Sequence, residues 1–142
     1  MELKVTRIDT TLPLPEYTTP GAAAFDVYAR VETIVAPHAL GFVPGNFIVH
    51  VPDGHVLLLA SRSSTPRKKG LHMPHGMGVI DRDYCGPNDE LLVQVWNPGD
   101  APVVVARGER IAQAFVVPAP RLEIVEVPAG EGASRGGFGT TG

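Results

Sequence analysis

Glycine and proline interrupt this chain throughout, and they limit what it can fold into. There are 16 glycines and 14 prolines in 142 residues, nearly twice their ordinary share. They fall between short apolar runs rather than in one linker, which argues against a hinge or a second domain. No stretch holds a 3.6-residue apolar period for long without meeting one of them, so helices are not the framework. The runs between them read as strands: Ala24–Ala29, Val31–Val35, Phe47–Val51, Val56–Ala60, Met77–Asp81, Leu91–Asn97, Val103–Ala106, Arg110–Val117 and Leu122–Val127. The clearest is "ELLVQVWN", where Leu91, Val93 and Val95 face one way and Leu92, Gln94 and Trp96 the other. Many short strands at even spacing predict an all-β sandwich or barrel of jelly-roll type.

The length suits one domain with a sizeable core and no covalent staples. Cys85 is the one cysteine, so neither an internal disulfide nor a CxxC metal site is possible. The opening "MELKVTRIDTTLPLPEY" lacks an apolar signal core, and runs such as Val56–Ala60 are far too short to span a bilayer. A cytoplasmic protein without membrane partners is expected. The net charge of −3 argues against a general nucleic-acid binder. Locally, "SRSSTPRKKG" places Arg62, Arg67, Lys68 and Lys69 close together with interleaved hydroxyls. That mixture supplies donors to phosphate oxygens, although a solvated loop fits the composition equally well.

Several motifs fail. "GFGTTG" at the C-terminus fits GxGxxG literally, but no helix can follow it to hold a pyrophosphate. His72 and His75 in "HMPH" have no convincing third ligand for zinc. Cys85 sits in no nucleophile motif.

Five other pieces stand in order: "PGAAAFDVYA", "SRSS", "GVIDRDYCG", "GERIAQ" and "RGGFGTTG". Together they resemble the five motifs of the trimeric dUTPase family, the deoxyuridine triphosphate nucleotidohydrolases, across nearly the whole chain from Pro20 to Gly142. The resemblance implies a jelly-roll-like distorted β-barrel over residues 1–130. It implies a flexible Gly-rich tail, residues 131–142, that closes over the active site of a neighbouring subunit in a homotrimer. It also implies hydrolysis of dUTP to dUMP and pyrophosphate, with Mg²⁺ on the phosphates, which lowers dUTP and supplies dUMP for thymidylate synthesis.

The resemblance assigns roles by position. Asp81, at the end of the strand "MGVI", is the general base; on chemistry alone Asp83 serves equally. Arg62, Ser63, Ser64 and Gln113 are phosphate donors, and Asp26 lies near the metal through bound water. His75, Gly78, Val79 and Ile80 belong to the hairpin that reads the uracil edge, and Tyr84 packs against the deoxyribose. In the tail, Phe138 stacks on the base, Gly137 lets the backbone approach, and Arg135 reaches the terminal phosphate. Stacking on a base contributes roughly 1–3 kcal/mol, which offsets part of the cost of ordering a glycine-rich segment.

The pattern departs from the family at four places. The tail is contracted to "RGGFG", and Pro87, Asn88 and Asp89 form an extra turn after Cys85, which replaces a common arginine. His75 stands where many bacterial members have asparagine, and Glu109 replaces an aspartate. The alternatives are a dCTP deaminase, or a bifunctional deaminase and dUTPase, of the same fold, and a non-catalytic nucleotide-binding regulator.

Overall fold

In the computed structural model, which describes residues 1–139, most of the runs between Gly and Pro become strands. In chain order the elements are β1 (Lys4–Arg7), β2 (Phe25–Tyr28), β3 (Thr33–Val35), β4 (Ala39–Pro44), β5 (Phe47–His50) and β6 (His55–Ser61). Then come a single helix, α1 (Ser64–Lys69), and β7 (Met77–Ile80), β8 (Leu92–Asn97), β9 (Val103–Val105) and β10 (Arg110–Pro118). The largest sheet has four strands in the order β2-β10-β6-β7; β1-β5, β3-β9 and β4-β8 form two-stranded sheets. Every pairing is antiparallel. This is the all-β, jelly-roll-like architecture expected, with the sheets not closed into one continuous barrel.

The four-stranded sheet carries the site. On β10, Ala112 and Ala114 are fully buried, and their small side chains let core residues such as Val27, Leu57 and Leu59 pack closely. Burying each of those leucines contributes roughly 1.5–3 kcal/mol. The alternation on β8 matches expectation: Leu91, Val93 and Val95 are buried, whereas Leu92 is exposed. Asn97 ends that strand and is itself buried. Its amide nitrogen lies within hydrogen-bond distance of the Val35, Ala36 and Ala101 carbonyls, tying the end of β8 to the end of β3 and to the loop that leads into β9.

Three expectations need correction. Leu122–Val127 is not a strand; no strand follows β10 among the described residues, and Ile124 is 97% exposed. Lys4–Arg7 and Ala39–Pro44 are strands that the apolar pattern did not mark. The basic segment is not simply a loop, because residues 64–69 form α1. Gly70 ends the helix at φ 68°, where its N–H donates to the Pro66 carbonyl at 2.8 Å; that left-handed conformation favours glycine.

Among the described residues no helix is long and apolar enough to cross a membrane. Thr140, Thr141 and Gly142 of the expected tail lie outside the described residues.

Candidate active site

The end of β6 and the middle of β10 form one wall of a cleft. Gln113 is paired across β10 with Asp26 of β2 on one side and Ala60 of β6 on the other. Arg62, Ser63 and Ser64 follow directly where β6 turns into α1. The cleft, of about 480 Å³, is lined by these five polar residues and by Thr18, Ala22–Ala24 and Phe115. Four of the five supply donors, and a volume of this size is ordinary for a small-molecule site.

Asp26 organises the charge. Its side chain is only 10% exposed, and its two oxygens face two cations: Oδ1 lies 2.7 Å from Arg62 Nε and Oδ2 lies 3.1 Å from Arg110 Nη1. A carboxylate taken this far out of water needs such partners. Arg62 also donates to the Arg110 carbonyl at 3.3 Å. A guanidinium carries five N–H donors, so Arg62 retains donors for a phosphate. Gln113 donates its amide N–H to the Ser61 carbonyl at 3.0 Å, which fixes its plane. Thr65 is buried and donates to the Ile111 carbonyl at 3.0 Å, pinning α1 to β10. Burial, with the carboxylates of Glu16 and Asp26 nearby, pushes the Tyr28 phenol above its ordinary value.

The second group lies across the sheet. β7 pairs with β6 so that Met77 opposes Ala60 and Ile80 opposes Leu57. Asp81 follows Ile80 and is exposed. Gly78 is buried, and an added Cβ would come within 3.2 Å of Leu59 Cβ and 3.7 Å of His75 Nε2. Glycine there lets β7 lie close against Leu59 of β6. Tyr84 donates its N–H to the Asp81 carbonyl at 3.2 Å and its hydroxyl to the Glu90 carbonyl at 3.1 Å. Glu90 is anchored in turn: Arg30 grips its carboxylate at 2.8 and 2.9 Å, and the Asn46 N–H donates to it at 3.0 Å. That pairing pushes the Arg30 guanidinium above its ordinary value. The extra turn is closed on itself, with Gly86 N–H donating to Asp89 Oδ2 at 2.7 Å.

The expected residues thus fall into three groups. Asp26, Arg62, Ser63, Ser64 and Gln113 come together. His75, Gly78, Val79, Ile80, Asp81 and Tyr84 form a separate group along β7 and the turns on either side of it. Arg135, Gly137 and Phe138 belong to the segment after β10, where Phe138 is fully exposed. Arg110, which lies in "GERIAQ" and carries no role by sequence position, pairs with Asp26.

A family model described as dUTPase matches residues 10–142. The chain belongs to the dUTPase family. The deoxyuridine 5'-triphosphate nucleotidohydrolase of Pseudomonas paraeruginosa is 38% identical over 141 residues, covering 96% of this chain and 91% of that protein. The crystal structure of dUTPase from Streptococcus mutans superposes with a TM-score of 0.77 at 34% identity, covering 84% of this chain and 98% of that one. Staphylococcus bacteriophage 80alpha dUTPase with dUPNHPP gives a TM-score of 0.85 at 26% identity, covering 99% and 98%. In this chain "GERIAQ" runs from the turn before β10 onto that strand, and "GVIDRDY" from β7 into its following loop.

The donor set can be tested for a metal. Among the described residues no three His, Cys, Asp or Glu side chains converge. Asp26, the carboxylate lining the cleft, has an arginine on each oxygen. A Mg²⁺ ligated directly by this chain does not fit that arrangement. One carried on the triphosphate, keeping its own waters, does.

Proposed function

We propose that this chain hydrolyses dUTP to dUMP and pyrophosphate. The observation that carries the reading is the cleft in which Asp26, Arg62, Ser63, Ser64 and Gln113 converge, in a member of the dUTPase family. Cleaving a phosphoanhydride requires charge neutralisation around the phosphate oxygens and a water in line with the leaving group. Arg62, Ser63, Ser64 and Gln113 supply the donors, and Asp26 and Arg110 hold Arg62 in place. Mg²⁺ carried on the phosphates adds neutralisation of their charge.

Asp81 is the base. The water oxygen bonds to phosphorus as the phosphoanhydride bond breaks, its proton passes to the Asp81 carboxylate, and pyrophosphate leaves. Backbone groups of Gly78, Val79 and Ile80, with His75 above them, read the uracil edge. Tyr84, fixed through Glu90, excludes a 2′-hydroxyl. The tail, residues 131–142, closes over the nucleotide, with Phe138 stacked on the base, Gly137 beside it and Arg135 towards the last phosphate.

One chain does not complete this arrangement. Asp81 follows the residue paired with Leu57, whereas the phosphate donors begin beyond Ser61. Asp81 thus stands level with Val56, six positions from Arg62 and roughly 20 Å away along the strand. A base must lie within about 3 Å of the water it activates, so base and phosphate donors acting on one nucleotide come from different subunits. A cytoplasmic homotrimer satisfies this.

The test is pyrophosphate release from the purified protein with Mg²⁺ and dUTP, dTTP, dCTP or UTP. Selective turnover of dUTP is expected. Equal turnover of all four would break the base-reading argument, and ammonia released from dCTP would favour the deaminase instead.

A further inference from the structure

Beside the main cleft lies a second, smaller one of about 190 Å³, between α1 and the turn from β9 to β10. Its lining is Arg62, Ser64, Lys68, Lys69, Glu109 and Arg110, together with the backbone around Thr65 and Ile111. Arg62 and Ser64 line both clefts, so the two share a wall. Four cationic side chains here face one carboxylate, and Asp26 offsets one more charge from the other side of the wall. Two positive charges remain unbalanced, on a chain whose net charge is −3.

The cations are not equivalent. Lys69 is fixed by Glu109 at 2.9 Å and by the Val104 carbonyl at 2.8 Å. Arg62 and Arg110 are held by Asp26. Lys68 is exposed, and its ammonium makes no ion pair or hydrogen bond among the described residues. Its ammonium carries three donors, and it stands at the rim of the pocket. The volume is below the 300 Å³ or so at which organic ligand pockets begin, and corresponds to about six waters. A small inorganic anion with several oxygens fits such a space.

We propose that this cleft is an exit subsite for inorganic pyrophosphate, entered from the phosphate cleft past Arg62 and Ser64, with Lys68 as its capturing cation. The inference rests on the dUTP-hydrolysing reading, which makes pyrophosphate the leaving group. Steering by the unbalanced charge draws the anion away from the reacting phosphorus, and Lys68 at the rim then releases it to solvent.

The experiment titrates pyrophosphate with Mg²⁺ calorimetrically into the full chain, without nucleotide, for the natural protein, Lys68→Ala and Lys68→Glu. Because Lys68 is exposed, neither substitution should disturb the fold. Affinity for pyrophosphate should fall about tenfold in Lys68→Ala, the equivalent of one charge-assisted hydrogen bond, and further in Lys68→Glu. The KM for dUTP should move less than about twofold. Unchanged pyrophosphate affinity in both variants would overturn the proposal. So would a KM that rises in parallel, which would make Lys68 part of the substrate seat, or sulfate binding as tight as pyrophosphate, which would make the cleft a non-selective basic patch. The titration needs no turnover, so Lys68-dependent binding in a protein inert towards dUTP would sink the hydrolase reading and not the anion site.

Discussion

At the residue scale, the cleft turns on one ion cluster, in which Asp26 takes Arg62 on one carboxylate oxygen and Arg110 on the other. Asp26 and Arg62 stood out in separate motifs, yet nothing in a linear reading joins them across the sheet. Arg110 was hidden by a backbone irregularity. Strict alternation on β10 would put Arg110, Ala112 and Ala114 on one face, with Gln113 on the other. The register shifts between Arg110 and Ala112, and a bulge of this kind re-aims side chains. Ile111 and Ala112 are consequently both buried, while Arg110 reaches Asp26. A different acid shows how local pairing sets pH behaviour. The Thr11 hydroxyl, the Arg107 guanidinium and the Thr11 N–H hold the Asp9 carboxyl well below its ordinary value of 3.8. A depressed carboxylate stabilises the fold above its unfolded pKa and loses that contribution as pH falls through its folded one. The melting temperature of Asp9→Asn should therefore lie below that of the natural protein at pH 6. The gap should narrow as pH drops below about 3.8. A gap that stayed constant down to pH 2 would show that the ionised carboxylate is not what matters.

At the element scale, strands with strong apolar alternation were legible and those relying on a partner were not. "KVTR" has little apolar content, and "ALGFVP" contains Gly and ends in Pro; both become strands by pairing with β5 and β8. The reverse holds for Leu122–Val127, whose composition suits a strand but which finds no partner within the described chain. The helix α1 was not legible because its residues, Ser-Thr-Pro-Arg-Lys-Lys, hold no apolar period. Pro66 lies in the first turn, where a missing N–H costs nothing, and Gly70 supplies the C-terminal cap. Six residues make a helix too short to stand alone, so its hold on the sheet matters. Removing the Thr65 hydroxyl with Thr65→Val should cost about 1–3 kcal/mol. It should also raise the KM for dUTP, since Ser64 rides on the same turn. Thr65→Ser should restore both, as read by thermal melting and steady-state kinetics. If the valine variant kept the natural KM, α1 would not depend on this bond for its position.

At the scale of the whole molecule, a single chain leaves too much uncovered and too little assembled. Leu122, Ile124, Val125 and Val127 are exposed beyond β10, and Leu40 and Phe42 of β4 stand out from the sheet face. Isolated exposed apolar residues are ordinary, and grouped ones such as these are what the proposed assembly would cover. None of this was readable from composition; the expectation of a trimer came only from the family resemblance. The separation of Asp81 from Arg62 along β6 makes it testable by chemistry rather than by mass. Asp81→Asn alone should bind nucleotide and lose about 10²–10⁴-fold in turnover, and Arg62→Ala alone should lose phosphate binding. When the two inactive variants are unfolded together in equal amounts and refolded, the proposed homotrimer would give mixed assemblies. A site that takes its phosphate donors from one subunit and its base from another is then intact in about a quarter of cases. Activity should return to that fraction of the natural protein's value. If base and donors served the same nucleotide from one chain, every site would carry one of the two lesions, and mixing would restore nothing.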